Sequence, residues 1–349
     1  MSTTMHDVAL RAGVSVKTVS NVVNGYPYIR ESTRDRVLAA IDELGYQMNV
    51  SARNLRSGRT GMIGLAVPEL SLTYFAELSD NVIQEAEARG WTVLIEQTNA
   101  TRAREIEVLS GSRRHLIDGV ILSPLALGPG DTDYVKPDFP TVLLGERIFH
   151  GPVDHITMSN VAAAEAATGH LVGIGRERIA LIGAHPGEEV GTAAFRLEGY
   201  LRALRIAGIE PDPALVVEAG LWHRPNGAQA MTRLLQAGTE FDAVFCLNDT
   251  LALGALRVLH QHGLRVPEDV AIVGFDDIED TRYATPTLTT IAPGRAQIAR
   301  LAVEMLLTRI ENRSEQQPPV EIEADFELVV RESTGGPPES AEGTSTLRG

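Results

Sequence analysis

The sequence lacks most features that mark secreted, membrane-bound or thiol-dependent proteins. Cys246 is its single cysteine, which excludes an internal disulfide framework and a zinc site built from cysteines. Its apolar runs are interrupted within a few residues by glycine or charge, so no segment has the length of a membrane-spanning helix. The first residues do not show the basic-then-apolar pattern of a secretory signal. We therefore expect a cytoplasmic protein with no membrane association.

Motifs for catalysis are also missing. Two acid pairs, Glu188 with Glu189 and Asp276 with Asp277, are adjacent in the chain, and adjacent side chains of an extended loop point apart. No nucleophile, histidine cluster or phosphate-binding loop accompanies them. The sequence therefore predicts a protein that is not an enzyme and that uses no cofactor and no metal ion.

Positive charge is scarce overall but is concentrated at one end of the chain. The 349 residues carry a formal net charge of −15, which by itself argues against a nucleic-acid partner. Residues 1–60, however, contain eight basic and five acidic residues, so this segment carries +3 and the remainder −18. Such a molecule approaches phosphate with its basic end while its acidic body is repelled. The length is enough for two to three domains of ordinary size.

The segment from Met5 to Gly25 has the pattern of two short helices joined at Gly13. Apolar residues recur at helical spacing before and after the glycine, and Ser15 lies where a helix N-cap is needed. The two apolar faces can therefore bury each other. The outward positions of the second helix are Val16, Lys17, Ser20, Asn21 and Asn24. This arrangement predicts a helix-turn-helix that contacts base edges in a major groove, although a helical hairpin with no DNA-binding role has the same pattern.

A third helix and a short basic segment follow. Ser32 and Asp35 have the spacing of a capping box, and Val37, Leu38, Ile41 and Leu44 form an apolar stripe that ends at Gly45. Residues 49–57, NVSARNLRS, are good helix formers but are too few to form a stable helix alone.

From Met62 onward, strand patterns alternate with helix patterns. The apolar runs MIGLAV, WTVLIE, GVILS, TVLLG, RIALIG, AVFCL and VAIVGF predict strands. Helix patterns cover residues 74–89, 161–173, 196–208 and 250–262. This alternation is typical of parallel sheets covered on both faces, and the number of strands indicates two doubly wound lobes.

Polar side chains follow several of these strands. Open α/β sheets bind ligands beyond the carboxyl ends of their strands, so we expect Glu69, Ser71, Tyr74, Ser123 and Asn248 to face a cleft between the lobes. Their hydroxyl, amide and carboxylate groups suit a hydroxylated ligand. Asp249 and Asp277 are in similar positions, but the first is equally suited to capping a helix and the second to bracing a loop.

Several motifs in order resemble the LacI family of bacterial transcription regulators. They are DVALRAGVSVKTVSNVVNG, the third helix, ELGYQMNVSARNLRSGRT and VPEDVAIVGFDD, and the resemblance covers residues 5 to about 332. It implies a periplasmic-binding-protein-like sensor whose chain crosses between lobes near residues 160, 290 and 323. The polar C-terminal segment has no leucine heptads, so nothing suggests the coiled-coil tetramerisation of some relatives.

The resemblance also implies DNA contacts. Val16, Lys17 and Asn21 match positions where relatives contact bases, and Asn21 replaces an arginine that many relatives carry. Leu55 matches the apolar wedge that relatives insert into the minor groove. The other predicted contacts carry hydroxyl, amide or guanidinium groups, with Thr18 and Ser20 expected on phosphate. They are Ser15, Thr18, Ser20, Asn24, Arg53 and Arg56.

For the effector site, the resemblance implies contacts from Arg196, Asn248 and Asp276. Trp222 is where some sugar-responsive relatives place a stacking aromatic ring, and Pro293 replaces a polar residue, so one ligand hydrogen bond is expected to be missing. An ordinary surface position on a helix is the alternative for Arg196.

The sequence thus predicts an all-α helix-turn-helix headpiece (1–48), a hinge helix or linker (49–60), a two-lobed parallel α/β effector-binding and dimerisation domain (61–332) and a disordered tail (333–349). The predicted function is a homodimeric repressor that binds a pseudo-palindromic double-stranded operator and is controlled by a sugar or sugar derivative. The alternative is a sugar-binding protein of the same two-lobed fold with no role on DNA, which would need export.

Overall fold

The computed structural model describes residues 3–23, 26–46, 59–111, 115–313 and 317–337. The chain forms two compact units, Met1–Thr60 and Gly61–Gly349. Within the described ranges, no helix is long and apolar enough to cross a membrane.

The smaller unit contains α1 (Met5–Ala12), α2 (Val16–Val23) and α3 (Glu31–Glu43). A capping box between Thr4 and Asp7 begins α1, and Gly13 ends it in the left-handed conformation with φ +63°, which costs glycine little. The three helices share one apolar core, as the spacing predicts. Its buried members are Val8, Ala9, Ala12, Val19, Val22, Val37 and Ala40.

Two details predicted for α3 are wrong. The helix begins at Glu31, its N-cap is Arg30, and no side chain caps it, so Ser32 and Asp35 do not form a capping box. Leu38 is 49% exposed because it is about 100° around the helix from Val37, outside the face that meets the core.

The larger unit consists of two lobes, each built on a six-stranded sheet. In the first lobe the strand order is β11-β5-β4-β3-β1-β2 and all neighbours are parallel. Its strands are β1 (Met62–Val67), β2 (Thr92–Gln97), β3 (Gly119–Leu122), β4 (Thr141–Leu144), β5 (Asp154–Met158) and β11 (Glu321–Ala324). Its helices are α4 (Thr73–Glu87), α5 (Arg102–Ser110) and α10 (Arg295–Glu311).

The second lobe repeats this architecture with the order β12-β10-β9-β8-β6-β7, in which β12 alone is antiparallel to its neighbour. Its strands are β6 (Ile179–Ala184), β7 (Val216–Glu218), β8 (Ala243–Cys246), β9 (Ala271–Phe275), β10 (Thr289–Ala292) and β12 (Glu327–Val329). Its helices are α6 (Asn160–Gly173), α7 (Thr192–Ile206), α8 (Arg224–Gln236) and α9 (Asp249–Gln261).

The chain passes between the lobes three times. It crosses from β5 to α6, from β10 to α10 and from β11 to β12, which confirms the crossings predicted near residues 160, 290 and 323. The carboxyl ends of the central strands of both sheets consequently face one cleft.

The strands that apolar patterning missed carry polar residues or are short. β5 contains Asp154 and His155, both buried. Asp154 accepts two hydrogen bonds from Arg309, at 2.7 and 2.6 Å, and a third from the backbone N–H of Val320. These bonds offset the cost of burying a carboxylate in a strand, and nothing local in the sequence indicates them.

The disordered tail was predicted to begin too early. Residues 332–334 form a 3₁₀ turn, and Ser333 is fully buried. Its hydroxyl donates to the carbonyl oxygen of Ile272 at 2.7 Å and accepts from the backbone N–H of Thr289 at 2.8 Å. The second lobe therefore includes these residues, while 338–349 lie outside the described part of the chain.

Close packing of α6 against α7 depends on a glycine. A Cβ at Gly199 would lie 2.2 Å from the carbonyl oxygen of Val161, whereas one at Gly169 would meet nothing within 4 Å. Gly199 is therefore required for this helix contact, and Gly169 is not.

We expect Gly199→Ala to lower the free energy of unfolding by about 1–3 kcal/mol because α7 must move away from α6. Gly169→Ala, in an exposed part of α6, should raise it by about 0.5–1 kcal/mol through the higher helix propensity of alanine. Urea unfolding followed by circular dichroism measures both. Equal effects of the two substitutions would contradict the close-packing argument.

Candidate functional site

A cavity of 530 Å³ lies between the two lobes of the larger unit. Its polar lining comes from loops at the carboxyl ends of the strands and from the first turns of the helices that follow them, as expected for open α/β sheets. The first lobe contributes Tyr74, Ser123 and Glu146, and the second contributes Arg196, Trp222, Asn248 and Asp276. A cavity of this size is typical of a small-molecule site.

Seven of the eight side chains predicted to contact an effector line this cavity. They are Glu69, Tyr74, Ser123, Arg196, Trp222, Asn248 and Asp276. The prediction for Ser71 is wrong, because its side chain is exposed outside the lining and its hydroxyl donates to the carboxylate of Glu69. Glu69 in turn lies 3.1 Å from His223 of the second lobe, so a polar contact joins the two lobes beside the cavity.

Arg196 is almost fully buried, with 2% of its surface exposed, which excludes an ordinary surface role. Its Nε donates to the side-chain oxygen of Asn160 at 2.8 Å, and Nη1 donates to the carbonyl oxygen of Leu247. The guanidinium stacks on the Phe275 ring, 3.4 Å from its centroid. Nη2 lies 3.8 Å from a carboxylate oxygen of Asp276, so part of its donor capacity is directed at the cavity.

Asp276 places a carboxylate in the cavity through an unusual backbone conformation. Its φ is +118°, a region that residues with a side chain rarely adopt. No side chain or backbone N–H in the described part of the chain donates a hydrogen bond to this carboxylate. Burial raises the pKa of Asp276 to about 7, although the nearby charges of Arg196 and Arg295 oppose the rise. The carboxylate therefore lacks the donors that a buried anion requires.

Two hydroxyl groups in the first lobe also lack a hydrogen-bond partner among the described residues. They belong to Tyr74 and Ser123, which line the cavity. Burial raises the pKa of Tyr74 well above its ordinary value, and the negative charges of Asp276 and Glu146 add to the rise. The phenol stays protonated and can donate to a ligand or accept from one.

Trp222 forms a rigid wall of the cavity. Its indole N–H donates to the carbonyl oxygen of Gly183 at 3.0 Å, and its backbone carbonyl accepts from Asn248 at 3.1 Å and from Thr250. The ring centroid lies 5.5 Å from that of His185. Because both ends of the residue are held, its ring offers a fixed flat surface.

Asn248, not Asp249, caps the following helix. The side-chain oxygen of Asn248 accepts from the backbone N–H of Leu251 at 2.8 Å, so its amide is positioned by the cap and keeps one N–H for the cavity. Asp249 instead accepts from Thr290 at 2.6 Å and from the backbone N–H of Ile278 at 3.1 Å. Asp277 braces a loop, as the alternative predicted, and accepts from Arg331 at 2.7 Å.

Sequence reasoning missed four charged residues of the lining, Glu146, Arg147, His185 and Glu188. They follow the strand patterns TVLLG and RIALIG, so the rule that identified the other loops would have found them if applied to these two strands. Thr192 donates to Glu146 at 2.7 Å, and Arg147 donates to the carbonyl oxygen of Val190 at 2.8 Å. Both contacts join the two lobes.

His185 lies between two hydrogen-bond acceptors. Nδ1 lies 3.1 Å from Glu188 and Nε2 lies 2.7 Å from the carbonyl oxygen of Gly220, so the arrangement favours the protonated imidazolium, in which both nitrogens carry hydrogen. The hydrogen bond with Glu188 raises the pKa of His185.

The charges that line the cavity nearly cancel. Arg147 and Arg196 contribute positive charge, to which His185 and His223 add when protonated, while Glu69, Glu146 and Glu188 contribute negative charge. Asp276 adds a charge that depends on pH. The cavity consequently favours a ligand without net charge that can satisfy several hydrogen-bonding groups.

In the smaller unit, the predicted DNA-contacting residues of α2 lie outside its fully buried face. Val19 and Val22 are buried, Val16 is 40% exposed and Lys17 is exposed. Ser15 accepts from the backbone N–H of Thr18 at 3.1 Å, as an N-cap does, and its hydroxyl lies 2.9 Å from that of Thr18. Ser20 and Asn21 are half-buried. The predicted contacts Asn24, Arg53, Leu55 and Arg56 lie outside the described residues.

The raised pKa of Asp276 makes stability depend on pH. The folded protein keeps a proton on this group up to about pH 7, whereas the unfolded chain loses it near pH 4. Protonated Asp276 therefore contributes its full share of the free energy of unfolding below about pH 4, and this contribution is lost as pH rises through about 7. We expect the unfolding free energy of Asp276→Asn to rise relative to wild type by on the order of 2 kcal/mol from pH 5 to pH 7. Urea unfolding of the full chain measures this, with the exposed Asp133→Asn as control. Parallel curves for Asp276→Asn and wild type would show that Asp276 does not titrate in this range.

Comparison with known proteins identifies both units. Residues 4–49 match the family model for bacterial regulatory proteins of the lacI family, and residues 168–334 match that for a periplasmic binding protein-like domain. The HTH-type transcriptional repressor PurR of Pasteurella multocida (strain Pm70) is 33% identical over 336 residues, which is 95% of this chain and 98% of that protein.

Solved structures give the same result. A putative transcriptional regulator of LacI family from Sanguibacter keddieii DSM 10542 is 53% identical, with a TM-score of 0.75 over 80% of this chain and 100% of that one. The transcriptional regulator CelR in complex with cellobiose is 32% identical, with a TM-score of 0.70 over 95% of this chain and 99% of that one. The lac repressor dimer bound to operator and the anti-inducer ONPF is 28% identical, with a TM-score of 0.82 over 96% and 99%. The chain therefore belongs to the LacI family of bacterial regulatory proteins.

Proposed function

We propose that this DNA-binding transcriptional repressor of LacI type acts in the cytoplasm as a homodimer whose operator affinity is controlled by an uncharged, hydroxylated small molecule, a sugar or sugar derivative. One observation carries the choice of ligand. Three polar groups without protein partners, those of Tyr74, Ser123 and Asp276, converge in a cavity that also has a flat indole wall and balanced charge.

A sugar ring satisfies each of these features. Its hydroxyls donate to the Asp276 carboxylate and exchange hydrogen bonds with the Tyr74 and Ser123 hydroxyls, while its apolar face stacks on Trp222. Arg196, held by Asn160 and Leu247, supplies the remaining donors. The CelR structure, which contains cellobiose, is support from a relative.

Dimerisation is supported by an exposed apolar edge on the first lobe. β2 is the last strand of its sheet, and its residues Leu94 and Ile95 are 38% and 40% exposed. Leu70 is 39% exposed, and its backbone N–H is bound by Gln97 at the end of the same strand. A bare apolar edge strand is unfavourable in a monomer, so we assign it to the contact between two copies of this chain.

On DNA, we propose that Val16, Lys17 and Asn21 contact bases in the major groove, while Thr18 and Ser20 bind phosphate. Ser15 and Asn24 are further proposed DNA contacts. Arg53 and Arg56 would contact phosphate, and Leu55 would enter the minor groove at the operator centre. Two symmetric headpieces then fit the two halves of a pseudo-palindromic operator.

The ligand proposal predicts graded losses of affinity. Above about pH 7, where the Asp276 carboxylate is charged, Asp276→Asn should weaken binding by about ten- to a hundredfold, because a hydrogen bond to a charged group contributes about 1.5–3 kcal/mol. Ser123→Ala should weaken it by a few-fold, since a neutral hydrogen bond contributes about 0.5–1.5 kcal/mol. Ser71→Ala, a serine outside the lining, is the matched control and should have little effect.

The measurement starts from a thermal-shift screen of monosaccharides, disaccharides including cellobiose, and purine bases, because a ligand of the folded state raises the melting temperature. Calorimetric titration of the three variants with the best sugar follows. A response to purines with none to any sugar would contradict the assigned ligand class, and equal affinities of the Ser123→Ala and Ser71→Ala variants would contradict the assigned site.

The DNA proposal predicts a change of sequence preference. Asparagine pairs with N6 and N7 of adenine, whereas arginine pairs with O6 and N7 of guanine. Selection from random half-sites should therefore give logos for wild type and Asn21→Arg that differ at one symmetric position, by about 1–3 kcal/mol of discrimination. Thr18→Ala should weaken all sites about equally. An unchanged logo for Asn21→Arg would show that Asn21 does not contact a base.

A further inference from the structure

The loop that carries Asp276 is held in a strained conformation. Asp276 and Asp277 have φ values of +118° and +49°, and residues with side chains keep such values only where their surroundings enforce them. Contacts within the second lobe enforce part of this conformation. Arg331 binds the Asp277 carboxylate at 2.7 Å, and Asp249 accepts from the backbone N–H of Ile278 at 3.1 Å.

Two charged side chains of the first lobe also bind this loop. Arg295, the first residue of α10, donates from Nη1 to the carbonyl oxygen of Asp276 at 2.8 Å and from Nη2 to that of Asp277 at 3.3 Å. Glu77 on α4 accepts from the backbone N–H of Glu279 at 2.8 Å and lies 2.5 Å from Arg295. The guanidinium fork and the carboxylate together bind three backbone groups of the opposite lobe.

Both side chains lie on the two helices that pack over the core of the first lobe. They are only 20% and 23% exposed, and Ile298, one turn beyond Arg295, is buried in the core that α4 and α10 share. Neither residue lines the ligand cavity. A separation of the lobes that moves α4 and α10 away from this loop breaks these contacts and removes the support of the Asp276 and Asp277 carbonyls.

We infer that Glu77 and Arg295 form a latch between the lobes, which directs the Asp276 carboxylate into the cavity when the cleft is closed and releases it when the cleft opens. They are positioning residues that act through Asp276. A ligand bound by Asp276 then favours closure, and closure favours the ligand by the same factor. This link to the effector rests on the proposed function, whereas the latch itself does not.

Hydrogen exchange of the full chain, without added ligand, tests the latch. The amides of Asp276, Ile278 and Glu279 report on it, since they donate to Ile291, Asp249 and Glu77. Arg295→Lys keeps the charge but cannot bridge two carbonyls, so exchange across Asp276–Glu279 should accelerate about tenfold, as expected for the loss of one charge-assisted hydrogen bond. Exchange in β9, just before the loop, should not change.

Two controls lie on the same helices. Arg300→Lys on α10 and Glu85→Gln on α4 alter exposed pairs one turn apart, Arg300 with Glu304 and Glu85 with Arg89, and should leave the loop unaffected. The double substitution Glu77→Arg with Arg295→Glu restores the ion pair without the fork. The melting temperature of the double variant should be higher than that of either single variant, while exchange in the loop stays fast.

Slow exchange in the double variant would show that the ion pair alone matters and would overturn the latch. The latch would also be overturned if Arg295→Lys left exchange in the loop as slow as Arg300→Lys does. Faster exchange throughout β9 as well as in the loop would overturn it too, because it would indicate a general loss of stability. Because no ligand is used, each of these results leaves the sugar proposal standing, and failure to bind sugar leaves these rates unchanged.

Discussion

An almost fully buried guanidinium is the constraint on which the cleft depends. Removing a charged group from water costs several kcal/mol unless hydrogen bonds and opposite charge replace the lost hydration. Arg196 obtains these from Asn160 at the start of α6 and the carbonyl oxygen of Leu247 after β8, and it rests on the ring of Phe275 at the end of β9. Three separate chain segments must therefore meet around one side chain.

This requirement explains why the ligand groups converge. Asn160 follows the first crossing between lobes, Leu247 precedes the capped start of α9, and Phe275 precedes Asp276. Satisfying Arg196 thus brings together the crossing, the loop of Asn248 and the loop of Asp276. In this arrangement Nη2 of Arg196 lies 3.8 Å from a carboxylate oxygen of Asp276, so its hydrogen-bonding capacity is incompletely used. The same contacts that stabilise the second lobe create an unsatisfied polar surface, and that surface is what a ligand completes.

The elements with regular apolar patterns were predictable because burial of one helix face imposes a period of 3.6 on the sequence, and burial of both faces of a strand gives an unbroken apolar run. Strands such as MIGLAV and IALIGA, and the small helical core around Val19 and Val37, follow this rule. β5 does not, since its buried Asp154 is satisfied by Arg309, 155 residues away. The end of the second lobe was misplaced for the same reason, because Ser333 is buried through bonds to Ile272 and Thr289.

For the site, the sequence by itself determined the family motifs, the order of strands and loops, and most side chains at the carboxyl ends of the strands, because the parallel-sheet rule assigns those loops to the cleft without knowledge of distances. Only the tertiary structure decided which of these side chains remain available to a ligand. Asn248 and Asp249 are adjacent and both suited to capping, yet one caps α9 and the other is buried beneath Thr290. Ser71 and Ser123 are alike in sequence, but one hydroxyl is bound to Glu69 outside the lining and the other lines the cavity. Whether a polar group is satisfied depends on partners distant in the chain, and folding alone brings those partners together.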